Sequence, residues 1–176
     1  DFDKLSRAID RERGRKEEGG DTTYSFDIEP YPYQQAVLDA LRTERLGKGR
    51  WYNLVVAATG TGKTAISAFD YRNFYQSRKG NAKLLFIAHR EEILKQSISC
   101  FRQVMKDPNF GQLAVGNYHA ARSEHLFMSI QTFNSQKFWE KMDPFYYDMI
   151  IVDEFHHAAA KGYQKLLTWF HPKILL

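Results

Sequence analysis

The stretch that decides the fold runs from Trp51 to Thr64 and reads WYNLVVAATGTGKT. Its middle part, residues 53–58 (NLVVAA), is almost entirely apolar and predicts a buried strand. Directly after it come two glycines, a lysine and a threonine, followed by a segment that predicts a helix over residues 63–77. An apolar strand that ends in a loop unable to pack is explained if the loop binds a ligand. The stretch therefore predicts a strand, a ligand-binding loop and a helix in direct succession.

The loop has the chemistry of a phosphate-binding loop, and its residues are Thr59, Gly60, Thr61, Gly62, Lys63 and Thr64. Because Gly60 and Gly62 lack a β-carbon, backbone N–H groups can close on phosphate oxygens, and the helix adds its positive end. Lys63 can reach the β- and γ-phosphates of ATP, and Thr64 offers a hydroxyl to Mg²⁺. The pattern A-x-x-G-x-G-K-T is a Walker A variant, since Ala57 stands where glycine is usual. The alternative interpretation is a glycine turn with a solvent-exposed lysine.

A pair of carboxylates follows a second apolar strand, Met149–Val152. Such a pair is costly after buried residues unless it meets a metal or water at the sheet edge. Asp153 would then hold Mg²⁺ through water, and Glu154 would orient or deprotonate an attacking water. The alternative is an ordinary helix N-terminus, where carboxylates are also favoured. His156 is interpreted as a sensor beside the nucleotide, because adjacent His156 and His157 lack the spacing of a zinc site.

Apolar strands alternate with amphipathic helices along the rest of the chain. Further strands are expected at 83–89, 126–131 and 173–176; further helices at 34–46, after residue 89 and before Pro172; and a polar connection at 116–125. This alternation predicts an α/β fold with a mostly parallel sheet covered by helices on both faces. Ligands in such folds bind at the carboxyl ends of the strands, where both motifs fall.

Length and composition indicate one soluble globular domain. The chain has 176 residues, of which 43% are hydrophobic and 26% charged, and no apolar run is long enough to span a membrane. The single cysteine, Cys100, cannot form an internal disulfide, which is typical of the cytoplasm. The net charge of +4 permits a nucleic-acid partner without arguing for one. Residues 1–27 are interpreted as an upstream tail and linker, and residues 28–176 as the domain.

With these motifs placed, residues 28–176 resemble the first motor domain of a superfamily 2 DNA/RNA helicase, in the branch shared with type III restriction subunits and bacterial DNA-repair helicases. The segments that carry the resemblance are Tyr31-Pro32-Tyr33-Gln34-Gln35, Ala58–Thr64, Ala88-His89-Arg90, Ser129-Ile130-Gln131-Thr132 and the D-E-x-H box Asp153–His156. Two positions depart from the family pattern, because Tyr31 stands where arginine is common and Phe155 where alanine or cysteine is usual.

The resemblance implies a P-loop, RecA-like fold in which Gln34 recognises adenine. It implies that His89, Arg90, Gln131 and Thr132 contact a nucleic-acid backbone, DNA being favoured over RNA. From the residues alone, His89 and Arg90 could instead cap the sheet, and Arg90 could pair with a neighbouring glutamate. The family further implies that an S/T-A-T segment and a second RecA-like domain with an arginine finger follow the strand 173–176. The family also places the strand 173–176 between 53–58 and 149–152, whereas a P-loop kinase would pair 53–58 directly with 149–152.

The sequence therefore predicts the ATP-binding half of an ATP-dependent DNA helicase or translocase motor that uses Mg²⁺. Two alternatives remain open. One is the double-strand translocase subunit of a restriction enzyme, which shares the motor motifs. The other is a nucleotide-dependent interaction module without motor activity, whose ATP hydrolysis would not respond to nucleic acid.

Overall fold

The computed structural model describes residues 28–58, 60–116, 124–153 and 161–176, and they form an α/β fold. The helices are α1 (Pro32–Arg42), α2 (Lys63–Ser77), α3 (Glu91–Met105), α4 (Ile130–Ser135) and α5 (Lys161–Trp169), with a π-helical turn at Thr43–Gly47 and a 3₁₀ turn at Phe138–Lys141. The strands are β1 (Leu84–Ala88), β2 (Gln112–Ala114), β3 (His125–Ser129), β4 (Met149–Val152) and β5 (Ile174–Leu175).

The five strands form one parallel sheet in the order β2-β3-β1-β4-β5. The central strand is β1, whose Phe86 lies opposite Phe127 of β3 and Ile151 of β4. Because all strands run the same way, the segments that follow β1, β3 and β4 meet at one edge of the sheet. Among the described residues, this edge carries His89, Arg90, Gln131, Thr132 and Asp153, which the sequence assigns to function.

Both faces of the sheet are covered by apolar residues, as expected for a parallel sheet. On one face, Phe86 packs in a cluster with Phe69 of α2 and Phe101 of α3. On the other face, the β1 residues Leu85 and Ile87 belong to a second cluster built with α4 and α5. The alternation of side chains along a strand thus divides β1 between two cores.

The prediction of a buried strand at 53–58 is wrong. Within the described part of the stretch 51–64, Tyr52 alone forms a bridge, to Leu175 of β5, and the backbone N–H of Asn53 donates to the carbonyl of Leu175 at 2.9 Å. Beyond that point Leu54 is 67% exposed and Val56 is 86% exposed. The apolar run indicated burial, but a strand also needs a neighbour to pair with, and the pairing with β5 stops at Leu175.

The predicted order of these segments is nevertheless confirmed. β5 pairs with β4 on one side and bridges to Tyr52 on the other, both in parallel. The strand 173–176 therefore separates 149–152 from the segment that enters the phosphate loop. This order contradicts the kinase alternative, in which the two would be direct neighbours.

Other boundaries differ from expectation in smaller ways. The strand β2 was missed, because three residues are too few to show a strand pattern in the sequence. The strand expected at 126–131 ends at Ser129, whose hydroxyl accepts the N–H of Thr132 at 3.1 Å and so starts α4 instead. Among the described residues, no helix combines the length and apolarity needed to cross a membrane.

Candidate nucleotide site and the neighbouring groove

The phosphate loop is shaped by two glycines in the left-handed region. Gly60 has φ +82° and Gly62 has φ +75°. A β-carbon built on Gly62 would lie 2.7 Å from Nε2 of Gln34, so only glycine fits there without displacing a neighbour. Both the N–H and the hydroxyl of Thr61 donate to the carbonyl of Ala58, at 3.3 and 2.7 Å. The turn is thus closed by the backbone and the side chain of Thr61, while Thr59 lies outside the described residues.

Lys63 is the first residue of the 15-residue helix α2, which begins directly after Gly62. The first N–H groups of such a helix have no partner within it and favour an anion. The ammonium of Lys63 donates to the carbonyl of Ala57 at 3.3 Å, which holds the charge over the loop. Loop, helix end and lysine therefore present positive character at one point.

Asp153 faces the same cleft as Lys63 and Thr64. The cleft has a volume of about 620 Å³, and Leu54 and Val56 lie on its apolar wall. The N–H of Asp153 donates to the carbonyl of Ile87 at 2.9 Å, so the end of β4 is fixed to β1. A hydroxyl and a carboxylate are oxygen donors of the kind that Mg²⁺ prefers, so these residues fit the ion. Glu154 and His156 lie outside the described residues.

Gln34, predicted to read adenine, lies against the loop rather than in this cleft. It is 3% exposed, and its Oε1 accepts the N–H of Tyr31 at 2.9 Å, so it is not a surface residue. Its neighbour Tyr33 donates its hydroxyl to the carbonyl of Thr61 at 2.9 Å. The rings of Tyr31 and Tyr33 stack at 5.9 Å, both half exposed. The bond from Tyr33 to the loop was missed, and nothing in the sequence marked it.

A second, smaller cavity of about 310 Å³ lies at the carboxyl ends of β1, β2 and β3 and contains three of the four residues predicted to contact nucleic acid. Gln131 Nε2 lies 3.1 Å from His89 Nδ1, so these two side chains meet across the strands. Thr132 is 3% exposed and its hydroxyl bonds to that of Ser129 at 2.8 Å, which makes it part of the α4 turn. Arg90 is exposed beside this groove, and its neighbour Glu91 pairs with Lys95 at 2.7 Å.

Comparison with known proteins gives the family. Residues 27–176 match the family described as type III restriction enzyme, res subunit. The chain is 30% identical over 150 residues to IRC3 of Saccharomyces cerevisiae, which carries the name of an ATP-dependent helicase. It is 25% identical over 146 residues to irc3 of Schizosaccharomyces pombe, named as a mitochondrial ATP-dependent helicase. The alignments cover 78% and 82% of this chain but only 20% and 24% of the relatives, so the chain spans about a quarter of their length or less.

Solved structures share the fold at low identity. The type ISP restriction-modification enzyme LlaGI, solved with a DNA substrate mimic, superposes with a TM-score of 0.64 at 15% identity, covering 84% of this chain and 17% of that chain. A fragment named as an HsdR subunit of a type I restriction enzyme from Vibrio vulnificus gives 0.58 at 23%, covering 98% and 30%. Dbp5 of S. cerevisiae, bound to RNA and ADP BeF3, gives 0.62 at 12%, covering 80% and 39%. The chain therefore belongs to the family of type III restriction enzyme res subunits and has the RecA-like fold of superfamily 2 helicases.

Proposed function

We propose that this chain binds ATP with Mg²⁺ and forms the first half of an ATP-dependent motor that moves on DNA. The observation that carries the proposal is the cleft in which Lys63, Thr64 and Asp153 come together beside a glycine loop. These residues come from two different segments of the fold, and their types are those that phosphoryl transfer needs. The names of the curated relatives, which are those of ATP-dependent helicases, support the same activity.

Each residue has a distinct part in this chemistry. Lys63 and the loop N–H groups neutralise charge on the phosphates, which grows as the γ-phosphoryl group is transferred. Thr64 and, through water, Asp153 would hold Mg²⁺, which supplies further neutralising charge. Glu154 would orient or deprotonate the attacking water, and His156 would sense the nucleotide. Gln34 would read adenine once its side chain turns from Tyr31, a role that stays a prediction.

We propose that a second RecA-like domain completes the site with an arginine. Such an arginine accelerates hydrolysis about 10³–10⁵-fold, and an open half-site also admits water that weakens each electrostatic contact. The 176-residue chain alone should therefore bind nucleotide weakly and hydrolyse it very slowly. Rapid, DNA-stimulated turnover by the chain alone would contradict this division of labour.

The groove at His89 and Gln131 is the proposed contact for nucleic acid, with Arg90 at its margin. Its polar groups lie at strand ends, where they can meet a sugar–phosphate backbone without reading bases. DNA is proposed over RNA because the matched family is one of restriction enzymes. A preference for RNA in competition binding by the full-length protein would reverse this choice.

A double-strand translocase is the second candidate, favoured by the match to a restriction-enzyme family. The two motors differ in their product, since a helicase separates strands and a translocase does not. Two fluorescence assays distinguish them. Strand separation reports the helicase, and displacement of a triplex-forming strand without strand separation reports the translocase. Hydrolysis by the full-length protein that no nucleic acid stimulates would instead favour the interaction module.

The test of the motor is steady-state ATP hydrolysis by the full-length protein with and without single-stranded DNA. Lys63→Ala should lower turnover at least about 10²–10³-fold, the usual effect of losing a group that stabilises the transition state. Lys165→Ala, which removes an exposed lysine of α5, is the matched control and should leave turnover unchanged. Glu154→Gln should preserve nucleotide binding and abolish hydrolysis. Full activity in Lys63→Ala would refute the proposed site.

The compartment is proposed to be the cytoplasm. The single cysteine, Cys100, cannot form an internal disulfide, which fits a reducing compartment. Burial raises the pKa of its thiol to about 11, which makes it a poor nucleophile. The name of the S. pombe relative makes mitochondria the alternative outcome of a fractionation experiment.

A further inference from the structure

An arginine lies on the apolar face of the first helix and its π-helical continuation. Four residues spaced at helical intervals are all buried: Gln34 at 3%, Leu38 at 6%, Leu41 at 5% and Arg45 at 6% exposure. The last of these stands where the pattern calls for another apolar side chain. A buried guanidinium is tolerated only where its charge and its N–H groups are matched.

Two side chains match the charge and three of the five N–H groups. Arg45 Nη1 donates to Asp70 Oδ1 at 2.6 Å and Nη2 donates to Asp70 Oδ2 at 2.8 Å. A third N–H, on Nε, donates to Asn53 Oδ1 at 2.8 Å. The pair is almost dry, with side chains 6% and 8% exposed. Because the guanidinium is planar and all three bonds run from it, the relative positions of the three residues are closely fixed.

The three residues belong to the three segments that meet at the phosphate loop. Asn53 is the first residue of the segment 53–58 that leads into the loop, and its N–H is bonded to Leu175 of β5. Asp70 lies on α2, which leaves the loop, about two turns beyond Lys63. Arg45 follows α1, whose first turn contacts the loop through Tyr33 and Gln34. One guanidinium thus connects the entry, the exit and the outer support of the loop.

The entry segment has particular need of such a connection. After Asn53 the chain leaves the sheet, and among the described residues the exposed Leu54 and Val56 gain no strand partner. Strand pairing therefore cannot fix the position of the loop relative to α2. The bonds of Arg45 to Asn53 and Asp70 supply the constraint that the sheet does not.

We propose that Arg45 is a positioning residue for nucleotide binding, which acts by holding together the segments that lead into and out of the phosphate loop, in the arrangement that a triphosphate requires. This rests on the proposed function of the loop. Arg45 itself would not touch the nucleotide, and its effect passes through Asn53 and Asp70. Without it the loop samples other positions, and the apparent dissociation constant rises as the inverse of the fraction of time that the loop spends in the competent position.

The test uses the full-length protein and a fluorescent ATP analogue with Mg²⁺. Arg45→Lys keeps the charge but loses the planar fork, and should raise the Kd about tenfold if the competent loop falls to about a tenth of the population. The double variant Arg45→Met with Asp70→Leu fills the site with apolar side chains, which often restores the stability lost with a buried pair. Its Kd should still be raised, because the side chain of Asn53 loses its bond to Arg45.

The control is Leu166→Ala, which empties part of the core on the opposite face of the sheet and touches none of these segments. Nucleotide affinity is compared at a temperature where thermal melts show every variant folded. A raised Kd in both Arg45 variants with an unchanged Kd in Leu166→Ala supports the positioning role. Wild-type affinity in a folded Arg45 variant, or an equal loss in Leu166→Ala, overturns it. If wild type and Lys63→Ala bind equally, the nucleotide site itself is wrong and the inference fails with it.

Discussion

Two apolar segments of similar composition, residues 53–58 and strand β1, have opposite environments in this molecule. Every residue of β1 is at most 1% exposed, between β3 and β4 and under helices on both faces. In 53–58, by contrast, Leu54 and Val56 are mostly exposed, and the nearest bridge among the residues that the structure describes is that of Tyr52. The difference lies in the neighbours and not in the residues, because a strand is stabilised by what pairs with it.

This contrast divides the candidate site into a part fixed by the sheet and a part fixed by a few polar bonds. Asp153, His89 and Gln131 follow strands whose ladders set their positions. The phosphate loop depends on the bonds of Asn53, Tyr33 and Arg45. The candidate site is thus held in part by strand ladders and in part by a few polar bonds.

The largest expected effect is on the free energy of unfolding, and it tests the contrast between β1 and residues 53–58 directly. Phe86→Ala in β1 should lower the free energy of unfolding by about 3–5 kcal/mol, because it leaves a cavity among Phe69, Phe101 and Phe127. The matched change Val56→Ala removes an 86% exposed side chain and should stay within about 0.5 kcal/mol. Denaturant unfolding measures both. A loss at Val56 as large as at Phe86 would show that 53–58 is buried in solution after all.

The contrast also explains how far the sequence could predict the structure. The bounds of α2 and β4 match expectation, because strong local signals and tertiary packing agree there. The prediction of a strand at 53–58 is wrong because apolar composition does not indicate which strands flank a segment. The Arg45–Asp70 pair was missed, although an arginine in register with Leu38 and Leu41 signals a buried partner somewhere in the fold. No local pattern could name Asp70, which is 25 residues away.

The site residues divide in the same way. Lys63, Thr64 and Asp153 were predicted from motifs and do line one cleft. The burial of Gln34 and the bond from Tyr33 to the loop depend on how α1 packs against the loop, which a single sequence does not reveal. Their roles in binding remain predictions, as do those of the residues that the structure does not describe.

The next effect is on nucleotide affinity, and it separates backbone strain in the loop from a steric clash with Gln34. Gly62→Ala and Gly60→Ala both force alanine into the left-handed region, at a cost of about 1–2 kcal/mol each. Only at Gly62 would the new methyl also meet Gln34, whereas nothing lies within 4 Å at Gly60. Nucleotide affinity should therefore fall more for Gly62→Ala than for Gly60→Ala. Equal losses by titration would mean that Gln34 yields freely and does not support the loop.

A smaller effect is expected at the rigid edge, beside β1. If Arg90 lies along a phosphate backbone, Arg90→Ala should weaken binding of single-stranded DNA and reduce the slope of log K against log salt by about 0.7. Base preference should not change, because a phosphate contact carries no sequence information. Lys95→Ala, one turn along α3 from Glu91, is the control. A salt dependence identical to wild type would make Arg90 a structural cap of the sheet.

The smallest expected effect is on the pH dependence of stability. It tests whether water is excluded from the amino end of the sheet as it is from the centre. His125 begins β3 beside Leu84 of β1, with its Nε2 2.8 Å from Tyr71 Oη. Burial lowers the pKa of His125 below its usual 6.5, although Glu124, a bond to Ala82 and Asp107 act in the opposite direction. The folded state therefore binds fewer protons than the unfolded state as the pH falls below about 6.5.

The sign follows from that difference. The stability associated with neutral His125 is fully present above pH 6.5 and is lost as the pH falls from there through the lower pKa of the folded state. His125→Gln keeps a polar side chain that does not titrate, so its free energy of unfolding should change less between pH 7.5 and pH 5.5, values on either side of about 6.5. Urea unfolding of both proteins at the two pH values measures this difference. Parallel losses in wild type and variant would show that water reaches His125, and that the dry region of the sheet ends before the first residue of β3.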